Sequence, residues 1–193
     1  REPIARSMGE AIGGAVVRSA GQARALDSTP LAVWQEEITI PARDFSGFNP
    51  QQIEAICSQL WDDETRDKVQ SIFMRILVDL QNKPLPDHTR QLRVLVLGEL
   101  AMAFIPGEPF AELGMALKER SPFAHTFVVE SLSESLGYIP ARRAYEEGGY
   151  QSGVGTRVAP GGGELIVERA LAMLQMAKCA AVPECRSEPK RDQ

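Results

Sequence analysis

The apolar stretch over residues 89–104 constrains the fold more than any other. It carries Leu92, Val94, Leu95, Val96, Leu97, Leu100, Met102 and Phe104, and Gly98-Glu99 interrupts it. Two strand-length apolar runs joined by two residues with a glycine predict a β-hairpin, with strands near 90–97 and 100–105. A single buried helix is the rival arrangement, and the β-branched residues and flanking Pro and Gly favour strands. The hairpin leads into Ile105-Pro106-Gly107-Glu108-Pro109-Phe110, and a helical pattern over 109–120 leads out. That is a strand-to-helix turn presenting a carboxylate at the carboxyl end of a sheet, where open α/β sheets bind ligands. Pro109 suits a first helical position, since its missing N–H would go unused there. The free N–H groups of such a first turn keep a nearby carboxylate ionised. Glu108 reads either as a metal ligand or general base, or as a helix cap and nothing more.

The remaining segments supply the rest of an α/β domain. Residues 3–20 carry Ile4, Met8, Ala11, Ile12, Ala15 and Val16 at helical spacing, and Gly9, Gly13 and Gly14 there would let another element approach closely. Residues 22–30 read as a polar connection. Residues 31–41 alternate as a half-buried strand. Asn49-Pro50 is an N-cap followed by proline at the first helical position, opening a helix to about residue 60. A second helix over 62–82 has Val69, Ile72, Phe73, Ile76, Leu77 and Leu80 as its stripe. Residues 124–130 form a strand whose continuous apolar middle predicts burial on both faces. A polar bend follows over 131–137, then Tyr138-Ile139-Pro140, a helical turn over 141–147, a glycine-rich loop over 152–163 and a helix over 164–177. The expected fold is α/β, a mixed sheet of strands near 31–40, 90–97, 100–105 and 124–130 with helices packed outside. One domain is expected over 1–178, and a polar, disordered tail over 179–193.

Charge and cysteines narrow the function classes. The net charge is −5 and basic residues form only pairs such as Arg142-Arg143. This argues against a nucleic-acid or anionic-membrane partner. No uncharged apolar stretch reaches about 18 residues, so no transmembrane helix is expected. No signal peptide is visible. The chain begins at Arg1 in what looks like the inside of a helix, so further sequence is expected upstream. Cys57 reads as core. Cys179 and Cys185 either close a small disulfide loop or are unrelated thiols, and a zinc knuckle is not expected without paired CxxC or nearby His.

Nucleophilic hydrolysis of the usual kind needs a Ser, Cys or Thr with a His base. The chain has two histidines: His88 in a Pro-rich connection and His125 at the start of a strand. Both read as structural or solvated groups. No G-x-S-x-G elbow and no phosphate-binding G-x-x-x-x-G-K-[ST] is present. Gly161-Gly162-Gly163 lacks the lysine and preceding strand of an anion cradle. Tyr138, Tyr145 and Tyr150 are the only tyrosines and fall within thirteen positions. Their phenols can donate hydrogen bonds, act as acids or ligate a metal, or simply pack.

Taken together, Pro106-Gly107-Glu108, Gly114, Thr126-Phe127-Val128-Val129, Gly137-Tyr138-Ile139-Pro140 and Tyr145-Glu146-Glu147-Gly148-Gly149-Tyr150 resemble the neutral/alkaline non-lysosomal ceramidase family. The resemblance covers roughly residues 90–175. It implies the C-terminal half of a zinc amidohydrolase catalytic domain from a bacterial relative, cleaving the N-acyl bond of ceramide-like lipids. It also implies a secreted, periplasmic or membrane-associated setting. In that family a Pro-Gly-Glu turn supplies a zinc-binding glutamate, here Glu108, and a downstream tyrosine supplies a further ligand, with Tyr145 as the matching position. Tyr145 would bind zinc or hydrogen-bond the substrate's tetrahedral oxyanion. The family's two ligand histidines and its catalytic serine lie earlier in the domain, and nothing in residues 1–90 matches them. The family's Thr-Thr-Met after the glutamate is replaced by Pro109-Phe110-Ala111-Glu112.

Three expectations follow. Glu108 and Tyr145 meet at roughly 3–5 Å, given zinc–oxygen bonds of about 2 Å. His125 is not a ligand. The chain alone is inactive, holds zinc weakly and is poorly soluble. The alternatives are a hydrolase diverged to another amide or ester, and a non-catalytic α/β binding domain.

Overall fold

The computed structural model describes residues 2–24, 31–130 and 135–181. Residues 25–30 of the predicted 22–30 connection, part of the polar bend and residues 182–193 of the predicted tail, with Cys185, lie outside the described residues; residues 179–181, expected in the tail, are instead helical. The chain divides into two compact units, Arg1–Pro30 and Leu31–Gln193.

Among its described residues the first unit holds one helix, α1 (Glu2–Ala20), none of whose side chains is buried. Its apolar stripe forms as predicted, with Ile4, Met8, Ile12 and Val16 all exposed.

The second unit contains the predicted strand and hairpin: β1 (Leu31–Ile40), β2 (His88–Leu97) and β3 (Leu100–Ile105). Gly98, at φ 60°, opens the two-residue turn between β2 and β3, as a primed hairpin turn requires. Between β1 and β2 lie α2 (Gln51–Leu60) and α3 (Asp63–Asn82). The Asn49 side chain accepts the Gln51 N–H at 2.9 Å, and Pro50 already has helical angles. Asp62 caps α3 by accepting the Thr65 N–H at 3.0 Å. After β3 come β4 (Glu108–Pro109), α4 (Ala111–Arg120), β5 (His125–Glu130), β6 (Tyr138–Ile139), α5 (Ala144–Glu147) and α6 (Gly162–Ala181).

The sheet is mixed, in the order β1-β2-β3-β5. β1, β2 and β3 run antiparallel in sequence, and β5 joins β3 in parallel. The β3–α4–β5 crossover is the unit that makes the fold α/β. One face packs on α4 and α6 through Ile38, Ile40, Leu92, Val94, Val96, Ala101, Ala103 and Ile105, met by Leu113, Leu117, Ile166, Ala170 and Leu174. The other face carries Leu31, Val33, Leu95, Leu97, Met102 and Phe127. A second cluster, centred on Phe45, Ile53, Cys57, Leu77 and Val154, joins α2 and α3 to the loop before α6. Cys57 is core, as its sequence context predicts.

Two expectations are corrected. β5 is not buried on both faces: it is a sheet edge, and Phe127 remains 55% exposed. Pro109 does not open a helix. The N–H groups of Glu108 and Phe110 bond to Gly137 and Ile139 carbonyls, which draws Pro109 into a short strand and delays α4 to Ala111. The glycine-rich loop is largely buried, through Ser152, Val154, Thr156 and Val158.

Candidate functional site

The site begins where β3 ends. Glu108 donates its backbone N–H to Gly137 at 2.9 Å, and Phe110 donates to Ile139 at 3.0 Å. Pro109 lies between the two donors, at the position where a parallel ladder asks for no N–H. The pairing brings two glycine turns together. Gly107 has φ 148°, and a Cβ there would fall 2.6 Å from the Gly137 carbonyl oxygen, so only glycine fits.

The resulting register sets Glu108 beside Tyr138 and Pro109 beside Ile139. Ile139 is fully buried, and it lines a narrow apolar cavity together with Pro109 and Leu113. Side chains alternate along a strand, so Glu108 and Tyr138 share the opposite side, away from that core. The Tyr138 ring meets Tyr150 edge-on at 5.8 Å, and Tyr150 packs on Phe73 at 5.7 Å and Trp61 at 6.2 Å. An aromatic wall therefore backs the phenol. The Glu108 carboxylate has no hydrogen bond or ion pair among the described residues, and the side chain is half-buried.

Tyr145 lies in α5 and has different company. Its hydroxyl donates to the Val158 carbonyl at 2.7 Å. The Arg43 guanidinium lies 5.2 Å from its ring centre. Burial pushes its phenol pKa up, partly offset by the Thr156 hydroxyl and by Arg43. Among the described residues no hydrogen bond joins Tyr145 to Glu108. The structure thus pairs Glu108 with Tyr138 and commits the Tyr145 hydroxyl to the backbone. One sequence signal marks Tyr138: like Glu108, it directly follows a glycine that a tight backbone approach demands.

The histidines are placed elsewhere. His88 Nε2 lies 3.0 Å from the Arg157 carbonyl oxygen. His125 is exposed at the start of β5, opposite Leu100. Among the described residues no group of three or more His, Cys, Asp or Glu is placed to hold a metal. Catalytic zinc takes three protein ligands and prefers imidazole nitrogen or thiolate sulfur among them. Glu108 and Tyr138 offer two oxygens, so the described residues do not form a self-sufficient zinc centre. No helix among them is long and apolar enough to cross a membrane.

Sequence reasoning passed over Arg43 and Arg157. Both are half-buried beside the second core cluster, and Arg43 Nη1 donates to the carbonyls of Ser152 and Gly153. Arg157 Nη1 donates to Val154 at 2.8 Å and Thr156 at 3.1 Å. Together they hold the glycine-rich loop that follows Tyr150.

No family model and no curated protein matches the chain. Among solved structures, it is similar to the neutral ceramidase from Pseudomonas aeruginosa, with 17% identity and a TM-score of 0.44 over 75% of this chain and 29% of that one. It is also similar to a ceramidase complexed with C2, with 19% identity and a TM-score of 0.40 over 49% of this chain and 16% of that one. The chain spans less than a third of the length of either structure.

Proposed function

We propose that this chain supplies the carboxylate–phenol part of the reaction centre of an N-acyl amide hydrolase acting on ceramide-like lipids, with zinc as its metal. The observation that carries the reading is the parallel pairing of Glu108 with Tyr138 across two glycine turns. The motif resemblance supports the amide-hydrolase class and the role of Glu108 independently of the pairing, while assigning the ligand phenol to Tyr145. Nitrogen ligands and a nucleophile come from outside the described residues, since His88 and His125 are engaged or placed elsewhere. A neutral phenol is a donor suited to an amide carbonyl oxygen on which negative charge develops. Tyr138 is the group for that role, because the Tyr145 hydroxyl already serves Val158.

The test is zinc binding by the 193-residue chain, measured by equilibrium dialysis with and without excess imidazole as a substitute nitrogen donor. Binding should be weak alone and about tenfold tighter with imidazole. Glu108→Gln and Tyr138→Phe should abolish that gain, and Tyr145→Phe should keep it. In a longer polypeptide that carries the chain with histidine ligands, Glu108→Gln should lower fatty-acid release from a short-chain ceramide on the order of 100-fold. Unchanged zinc affinity in Glu108→Gln would make the turn a structural joint in a non-catalytic domain.

A further inference from the structure

Arg43 and Arg157 form a pair of cations without a counter-charge. Each is half-buried, and neither has a carboxylate within ion-pair distance among the described residues. Burial holds both below the usual arginine pKa, and Arg157 adds to the effect on Arg43. Buried cations are normally paired. Acids are not scarce in a chain of net charge −5, but those nearby are taken. Asp44 accepts from Ser46 N–H at 2.8 Å and its hydroxyl at 2.9 Å. Glu147 pairs with Arg143 at 2.9 Å.

The Arg43 guanidinium is fixed at one end only. Nη1 donates to the Ser152 and Gly153 carbonyls, and the group lies 5.0 Å from the Phe45 ring centre and 5.3 Å from that of Phe48. Its Nε–Nη2 edge has no partner among the described residues. Arg43 lines a cleft of about 290 Å³ between α2 and the loop over 148–153, with Phe48, Ala55, Ile56, Tyr145 and Glu147 among its walls, the Glu147 carboxylate there being neutralised by Arg143. That volume suits a small organic molecule. A guanidinium edge matches the two oxygens of a carboxylate, side by side. One lining cation with apolar Phe48 and Ile56 beside it suits a monoanion with a short apolar tail better than a phosphate, which calls for more positive charge.

We propose that this cleft binds a carboxylate-bearing small molecule, with the free edge of Arg43 holding the carboxylate and Phe48 and Ile56 receiving the tail. The site shares no residue with the Glu108–Tyr138 pair, so either can fail without the other. Hexanoate, with inorganic phosphate as comparison, is titrated into the 193-residue chain and followed by calorimetry. Saturable hexanoate binding is expected. Arg43→Lys, which keeps the charge but loses the fork, should weaken it about tenfold. Ala55→Phe, which fills the cleft from the exposed side of α2, should remove binding while circular dichroism and the unfolding midpoint stay in place. If Arg43→Lys does not fold, Ala55→Phe decides. Hexanoate affinity unchanged in Ala55→Phe, no saturable binding by the folded wild type, or phosphate binding more tightly than hexanoate would overturn the proposal and leave Arg43 a clamp for the loop.

Discussion

The two faces of the sheet are similarly apolar around the β2–β3 hairpin and end in different surroundings. On the helix-covered face, Ile38, Ile40, Leu92, Val94, Val96, Ala101, Ala103 and Ile105 are no more than 5% exposed. On the other, Leu31, Val33 and Phe127 are more than half exposed, and Leu95, Leu97, Met102 and Phe104 are half-buried. Away from the hairpin polarity separates the faces, with Gln35, Glu37, Gln91 and Arg93 on the open one; within β3 hydrophobicity does not. Side-chain volume in β3 does: Ala101 and Ala103 face the helices, and Met102 and Phe104 face away. Glycine at the start of α6 lets that helix lie close to α4 and to the segment around Ile139 and Pro140. A Cβ on Gly163 would fall 2.6 Å from Leu113 Cδ1 and 2.8 Å from the Pro140 carbonyl oxygen. An α/β sheet thus marks its covered face by room left for a helix.

The largest expected effect tests whether the covered face carries the stability. Leu92→Ala should cost about 3 kcal/mol in urea denaturation, whereas Val33→Ala on the open face should stay within about 0.5 kcal/mol. Equal costs would mean that the open face is covered in solution. Next comes the closeness of α6. Gly163→Ala should destabilise by about 2 kcal/mol through overpacking, although alanine is favoured over glycine in a helix by about 1 kcal/mol. A stabilised variant would show that α6 sits loosely. The smallest effect is electrostatic. Lys178 on α6 holds both Glu99 carboxylate oxygens at 2.7 Å, tying the hairpin turn to the helix. That hydrogen bond, with the lysine charge, lowers the Glu99 pKa. The folded state therefore favours the ionised acid, and the contribution is present above the ordinary glutamate range and lost as pH falls through it. Glu99→Gln should slightly flatten the acid limb of a stability-versus-pH curve. A curve unchanged by the substitution would remove this tie from the account of the covered face.

What was legible in the sequence was local. The hairpin around Gly98, the Asn49–Pro50 start of α2 and the stripe of α1 follow from period and capping chemistry, which neighbours along the chain decide. β5 was misread because Val128 and Val129 are apolar whether a strand is central or at an edge, and only the strand order assigns the edge. Pro109 was misread for a related reason. Its turn is captured by β6, a segment some thirty residues away, before a helix can start. The same long-range register selects Tyr138 as the neighbour of Glu108, and spacing along the chain carries no such information. Arg43 escaped notice because one arginine in a polar-looking loop has no pattern; its meaning lies in the rings and carbonyls gathered around it from three segments.

The β4–β6 pairing also has a place in time. A two-residue ladder cannot offset the entropy of closing the thirty-residue span between its strands. It is expected to form once α4 and β5 have seated on the sheet and brought its ends together. Glu108 and Tyr138 therefore meet late in folding and part early in partial opening, while the β2–β3 hairpin is still intact. Backbone hydrogens of Glu108 and Phe110 would exchange with solvent sooner than those of Val94 or Ala103.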